Sequence, residues 1–151
     1  MVDSHAKARA VVAWPEIVPV AGVVRDAFTR DLTPRVASRA PVLAGSITAA
    51  TAAVAADAAA FVVVVSDRVA TGRGMRILGG VTLGGDPEEP GLVPVAAIAA
   101  VLKALTLTPS QLTMAEVMEA YAVQAMACVT GANLPLGIVN PGGGALARGH
   151  P

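Results

Sequence analysis

The sequence predicts an α/β fold in which a mixed sheet is covered by helices. Two patterns carry this expectation. Ala-rich stretches suited to helices alternate with short β-branched runs, and Phe61-Val62-Val63-Val64-Val65 is continuously apolar, as expected of a strand buried on both faces. Third, 54% of the 151 residues are apolar but only 3% aromatic, a composition suited to small-residue packing and opposed to disorder. The length allows one compact domain with its own core.

The elements follow in order. Ser4 to Ala13 reads as a helix ended by Trp14-Pro15, because proline disfavours helical geometry in the residue before it. Ile17-Val18-Pro19-Val20 is extended, with Pro19 restricting it to an edge or loop. Arg25 to Pro41 is a polar connector in which Thr33 caps a helical turn opened by Pro34. Thr48 to Ala60 reads as a helix leading into the strand Phe61 to Val65. Ser66 to Ala70 forms a short helix closed by Gly72 and Gly74, and Arg76 to Leu83 another strand, with a bulge at Gly79-Gly80.

Asp86 to Gly91 is a solvated loop, and the helix after Pro94 aligns Val95, Ile98, Leu102 and Leu105. Thr113 to Met118 predicts a strand. It enters a helix starting near Glu119, with Tyr121, Ala125 and Cys128 on one side and Gly131 closing it. Gly137 to Asn140 is a last short strand before the glycine-rich end. No internal repeat of fixed period is visible.

Composition narrows the function classes. Eleven basic and eleven acidic residues cancel, and no basic run is interleaved with aromatics, so no nucleic-acid partner is expected. The single Cys128 excludes an intramolecular disulfide, and His5 and His150 add no ligand cluster, so no metal is expected either. Met1-Val2-Asp3-Ser4-His5 lacks a signal-peptide pattern, and the expected location is cytoplasmic. Ile47 to Val65 is long and apolar, but Asp57, Thr48 and Thr51 oppose a membrane span.

The most informative segment is Val139-Asn140-Pro141-Gly142-Gly143-Gly144-Ala145-Leu146-Ala147-Arg148-Gly149-His150-Pro151. Successive glycines let a backbone approach a ligand, and Gly-His-Pro holds an imidazole on a stiff turn. The segment resembles the VNPNGGAIALGHP stretch of the thiolase family, with Gly142 in place of an asparagine and Arg148 in place of an aliphatic residue. Three further blocks occur in the family's order. Ser4-His5-Ala6-Lys7-Ala8, Glu16 to Val20 and Arg25-Asp26 are similar to its loop region; Gly45 to Ala60 to its GTVTAGNSSQINDGAAA stretch; Glu116 to Ala125 to its INEAFAAQA or MHEAFAAQ.

The resemblance implies part of an αβαβα sandwich: residues 1–40 as the end of the loop region and a connector, residues 41–151 as an incomplete C-terminal half. It further implies an acyl-CoA C-acyltransferase that makes or breaks a carbon-carbon bond beside a thioester, with acyl-CoA and CoA as substrates and no other cofactor. His150 matches the catalytic histidine that takes the proton of a thiol, and Glu119 the family glutamate. Gly143, Gly144 and Gly149 match the run beside the thioester. The family's nucleophilic cysteine has no counterpart here, so the chain is expected to be inactive alone, with a homo-oligomer or the missing half as partner.

Several departures touch function. Met118 stands where the family has Asn or His and donates no hydrogen bond to an oxyanion-stabilising water. Thr51, Ala52, Ala53 and Ala56 replace polar residues, while Asp57 is retained as a backbone anchor. Cys128 reads as a small buried hydrophobe. Gly72-Arg73-Gly74 reads as a turn, and Arg73, Arg76 and Arg148 as either surface charges or contacts for CoA phosphates. The rival readings are a non-catalytic module that pairs with another chain and a membrane-associated helical protein.

Overall fold

The computed structural model describes residues 1–11, 17–70, 72 and 74–151. Five helices occur among them: α1 (Val2–Ala10), α2 (Pro34–Ala37), α3 (Val93–Ala104), α4 (Ala122–Gly131) and α5 (Ala145–Arg148). The strands are β1 (Val42–Ala44) and β2 (Ile47–Thr48), an antiparallel pair whose register shifts between Val42 and Ala44. Single bridges complete the pairing among the described residues: Val20 with Val23 and Ala52 with Tyr121 antiparallel, and Ala55 with His150 and Ala115 with Val139 parallel.

The well-patterned helices form as expected. In α3 Leu102 is buried and Val95, Ile98 and nearby Leu105 are partly covered, while Ala96, Ala99 and Lys103 are exposed. Thr33 Oγ1 accepts from the Val36 amide, 3.3 Å away, and Pro34 opens α2. The main core lies where α4 turns back on the chain: Val129, Ala132, Leu134 and Val139 pack together, with Ile98, Leu112, Ala115, Val117 and Ile138 around them. Cys128 is fully buried; its Sγ donates to the Gly91 carbonyl and accepts from Gln124 Nε2.

Other elements differ from the expectation. Thr48 to Ala60 is not a helix. Thr48 and Thr51 bind their own backbone instead, since the Thr48 amide donates to Thr51 Oγ1 at 2.8 Å and the Ala50 amide to Thr48 Oγ1 at 3.2 Å. Such local bonds compete with a helical ladder. The following backbone is claimed by distant segments: the Ala53 amide donates to Ala120 O and the Ala56 amide to His150 O.

Phe61 to Val65 and Arg76 to Leu83 belong to no helix or strand among the described residues, and Phe61 is 95% and Val63 91% exposed. A strand needs a neighbour for its backbone groups, and β-branched composition alone supplies none. Ser66 to Ala70 closes as a turn through Val69 and Ala70 amides on Ser66 O rather than as a helix. Thr113 to Met118 contributes one bridge at Ala115, and Gly137 to Asn140 overlaps a 3-10 turn at Leu136–Ile138 before Val139 pairs.

Helix α4 begins three residues after Glu119 and includes Gly131; the reversal after it falls at Asn133, whose φ is +53°. Asparagine tolerates that left-handed conformation. The expected helix end at Val12 to Pro15 and the role of Arg73 lie outside the described residues. No helix among the described residues is long and apolar enough to cross a membrane.

The exposure of Val63 makes a sharp prediction. Val63→Lys should change the unfolding free energy by less than about 0.5 kcal/mol, because nothing packed is removed. Urea denaturation followed by circular dichroism checks this, and a loss of several times that amount would show that the segment is covered in solution.

Candidate functional site

Among the described residues the glycine-rich end is the most continuously buried stretch, with Val139, Asn140, Gly142, Gly143, Ala145, Leu146, Ala147 and Gly149 all buried. Its geometry starts at Asn140, which has φ +45°. The side chain offsets the cost of that conformation by imitating a strand neighbour: Oδ1 accepts from the Val117 amide at 2.7 Å and Nδ2 donates to the Val117 carbonyl at 2.8 Å. The same Nδ2 donates to Glu119 Oε1 at 3.0 Å.

Glu119 therefore faces the turn. Its Oε2 accepts from the Ser4 hydroxyl at 2.9 Å and from the Leu146 amide at 3.2 Å, while Ser4 Oγ accepts from the Gly144 amide at 2.9 Å. Charge-assisted bonds of this kind exceed neutral ones in strength. One carboxylate thus ties together α1, the segment before α4, the glycine turn and the first turn of α5. Lys7 Nζ adds a bond to Val139 O at 3.0 Å.

The packing requires small residues at two positions. A Cβ on Gly143, which has φ +78°, would run into the Ser4 carbonyl and Ala8, and one on Gly144 would lie 2.5 Å from Glu119 Cδ. No side chain fits there.

Gly149 and His150 occupy the other end of α5 and meet a different segment. The His150 amide donates to Val54 O at 2.7 Å and its carbonyl accepts from the Ala56 amide at 2.9 Å. Gly149 has φ +98°, and a Cβ there would lie 2.5 Å from Ala56 Cβ. The His150 imidazole is half-buried, with Nδ1 2.9 Å from Pro151 O. Among the sequence-predicted residues, Glu119, Gly143 and Gly144 are thus brought together, and Gly149 and His150 lie at the far end of α5. Met118 is exposed.

Sequence reasoning missed Ser4 and Asn140 as members of this network. A signal for Asn140 existed, since asparagine before Pro-Gly favours a turn and a left-handed conformation. Nothing local marks Ser4, whose partners are 115 and 140 residues away.

His5 is also part of the surroundings. It is 1% exposed, its Nδ1 accepts from the Arg30 amide at 3.2 Å, and its Nε2 is buried without a partner among the described residues. Its ring is tilted against Phe28, over which the Arg30 guanidinium also lies. Burial, then the Arg30 charge and the amino-terminal charge, hold the imidazole below its usual range, and Glu119 opposes them. Burial followed by the Glu119 charge pushes the Glu116 carboxyl up, against Arg148 and Lys7. No group of three or more His, Cys, Asp or Glu could hold a metal ion among the described residues.

Residues 74–151 match the thiolase C-terminal domain family. The chain belongs to the thiolase family. It is 38% identical over 117 residues to β-ketoadipyl-CoA thiolase of Acinetobacter baylyi, covering 71% of this chain and 28% of that protein. The human mitochondrial 3-ketoacyl-CoA thiolase, solved in complex with CoA, superposes with a TM-score of 0.82 at 26% identity, over 99% of this chain and 42% of that one. The dimeric peroxisomal thiolase of Saccharomyces cerevisiae superposes with a TM-score of 0.75 at 27% identity, again over 99% and 42%.

The fold is accordingly the α/β fold of the thiolases, of which this chain spans well under half the length of the relatives it matches.

Two predictions come from this geometry. Glu119→Ala should cost about 2–3 kcal/mol of stability, because a charged acceptor is lost and the donors from Ser4, Asn140 and Leu146 are left without it. Glu119→Gln should be intermediate, since its amide nitrogen meets donors on one side. Chemical denaturation of the three proteins checks the order, and equal midpoints would remove the carboxylate from its central place.

The second concerns pH. A histidine whose folded pKa is depressed is protonated more readily when unfolded, so its contribution to stability is complete above about pH 6.5 and is lost as the pH falls toward the folded value. Glu116 acts in the opposite sense at lower pH, its raised folded pKa restoring stability as the carboxyl protonates. Urea midpoints measured from pH 8 down to 5 should therefore decline below about 6.5. The decline should flatten in His5→Gln.

Proposed function

We propose that this chain supplies the histidine-bearing turn of a thiolase-type acyl-CoA C-acyltransferase, acting on an acyl-CoA thioester with CoA as co-substrate, and that it performs no acyl transfer unaided. Residues 1–40 serve as loop region and connector and residues 41–151 as the C-terminal part. The reading rests chiefly on one observation: the Glu119, Asn140 and Ser4 network holds a tight glycine turn whose α5 ends on a His150 backbone pinned to Val54 and Ala56.

In the thiolysis direction a cysteine thiolate attacks the keto carbonyl β to the thioester. The carbon-carbon bond breaks with a proton delivered to the α-carbon of the departing acyl-CoA, and the acyl group on sulfur then passes to CoA. His150 accepts the thiol proton in forming the thiolate. Glu119 acts as a positioning residue, since both its oxygens are committed to donors of the turn. Gly143, Gly144 and Gly149, which admit Ser4, Glu119 and Ala56 where side chains would otherwise lie, bring the backbone of the turn beside the thioester. Cys128 is unsuited as the acyl carrier, because its sulfur is buried and bonded to Gly91 O and Gln124. The carrier therefore comes from a thiolase N-terminal half, and the working assembly is a homo-oligomer or a pairing with that half. A cytoplasmic location accords with the free Cys128.

A second reading, a non-catalytic thiolase-like module that binds a partner, is favoured by two observations. Met118 offers no donor for an oxyanion-stabilising water, and the apolar segments at residues 61–65 and 75–83 expose Phe61, Val63, Met75 and Ile77 to a partner.

Thiolysis of acetoacetyl-CoA, followed by loss of the enolate absorbance with free CoA present, separates the two. The chain alone should show no turnover. Mixed with a cysteine-bearing thiolase N-terminal half it should gain turnover, which His150→Ala lowers by about 10²–10⁴-fold and Cys128→Ser leaves in place. A stable complex without turnover would select the non-catalytic module.

A further inference from the structure

Arg148 departs from the aliphatic residue of the resembling family stretch, and its surroundings give that departure a use. The guanidinium reaches back across α5 to the turn: Nε lies 3.2 Å and Nη2 2.8 Å from the Gly142 carbonyl oxygen, and both donate to it. Nη1 points the other way and donates to Asp26 Oδ2 at 3.1 Å, forming an ion pair with the connector that precedes α2. Gly142 is itself buried, and the Arg148 side chain is only 27% exposed.

A second bond links the same two elements. Thr29 Oγ1 donates to the Ala147 carbonyl at 2.9 Å. The connector thus holds α5 by a side-chain charge and a hydroxyl, on two successive residues just before Gly149 and His150. Leucine or another aliphatic side chain at 148 could make none of the three polar contacts. Lysine could keep a charge near Asp26 without the planar fork that lets one side chain serve two partners in opposite directions.

We propose that Arg148 is a positioning residue: it latches the connector at Asp26 to the glycine turn at Gly142 and so sets the orientation of His150. The functional meaning of that orientation rests on reading His150 as the base of the turn, whereas the latch itself does not. Asp26 forms an ion pair with the guanidinium, and Arg25, Arg30, Asp31 and Asp57 line the same cavity.

The test uses the full chain and no thioester, so failure of the acyl-transfer reading leaves it intact, and its own failure leaves that reading intact. Amide hydrogen exchange and the His150 ring-proton resonances are followed by NMR in Arg148→Leu, Arg148→Lys and Asp26→Asn. Arg148→Leu should accelerate exchange at Gly143, Gly149, His150 and Arg30 by about tenfold, with α3 and α4 amides unchanged, and shift the His150 ring resonances. Arg148→Lys should recover part of both effects, and Asp26→Asn should loosen Arg30 and shift the His150 ring.

Unchanged ring resonances in Arg148→Leu would overturn the proposal. So would acceleration by one common factor through α3 and α4, which marks a general loss of stability. Should Arg148→Leu not fold, Asp26→Asn decides alone, because a latch predicts a change at His150 from a substitution in the connector and a mere surface ion pair predicts none.

Discussion

The glycine turn that leads into the histidine-bearing end depends on one carboxylate with both oxygens engaged. Glu119 receives the Ser4 hydroxyl, the Asn140 amide and the Leu146 backbone amide, and through Ser4 it also orders the Gly144 amide. The donors come from α1, from the residue that opens the turn and from α5, so no local conformational preference could bring them together. Charge makes the arrangement directional, since only an acceptor with two anionic oxygens can serve donors arriving from both sides. The close approach it enforces is what excludes a Cβ at Gly143 and Gly144.

The departures from the family pattern divide by where they sit in this geometry. Ala56 lies against Gly149, and Ala52 is buried where it bridges to Tyr121, so the small residues are accommodated by tight backbone contact. Met118 is different. It stands exposed beside a network it does not join, and its thioether supplies neither charge nor a donor. Arg148 gains contacts with Gly142 and Asp26 that an aliphatic residue could not make. In this chain the turn is held by Glu119, Asn140 and the glycines, with Arg148 joining it to the connector.

The exposed apolar segments show a second constraint. Phe61 to Val65 has the composition of an interior strand, yet its side chains face solvent and its backbone has no ladder among the described residues. Hydrophobic content gives a segment a reason to be covered, but the covering surface must be present before burial stabilises anything. Where a neighbour exists, pairing appears at once: Ala115 bridges to Val139 and Ala55 to His150.

What the sequence determined by itself was whatever depends on local chemistry or on motif. The Thr33-Pro34 helix start, the buried face of α3, the burial of Cys128 and the glycine-rich turn ending in His150 were legible because capping, helical periodicity, small apolar size and conformational permissiveness are properties of a few adjacent residues. The helix expected over Thr48 to Ala60 was not realised, because threonine hydroxyls and distant carbonyls took its backbone amides. Only the tertiary structure decided that Ser4 and Asn140 belong with Glu119, and that Asp26 belongs with Arg148. These partners lie between 21 and 122 residues apart, and a polar side chain's partner is set by where the fold places a complementary donor or acceptor.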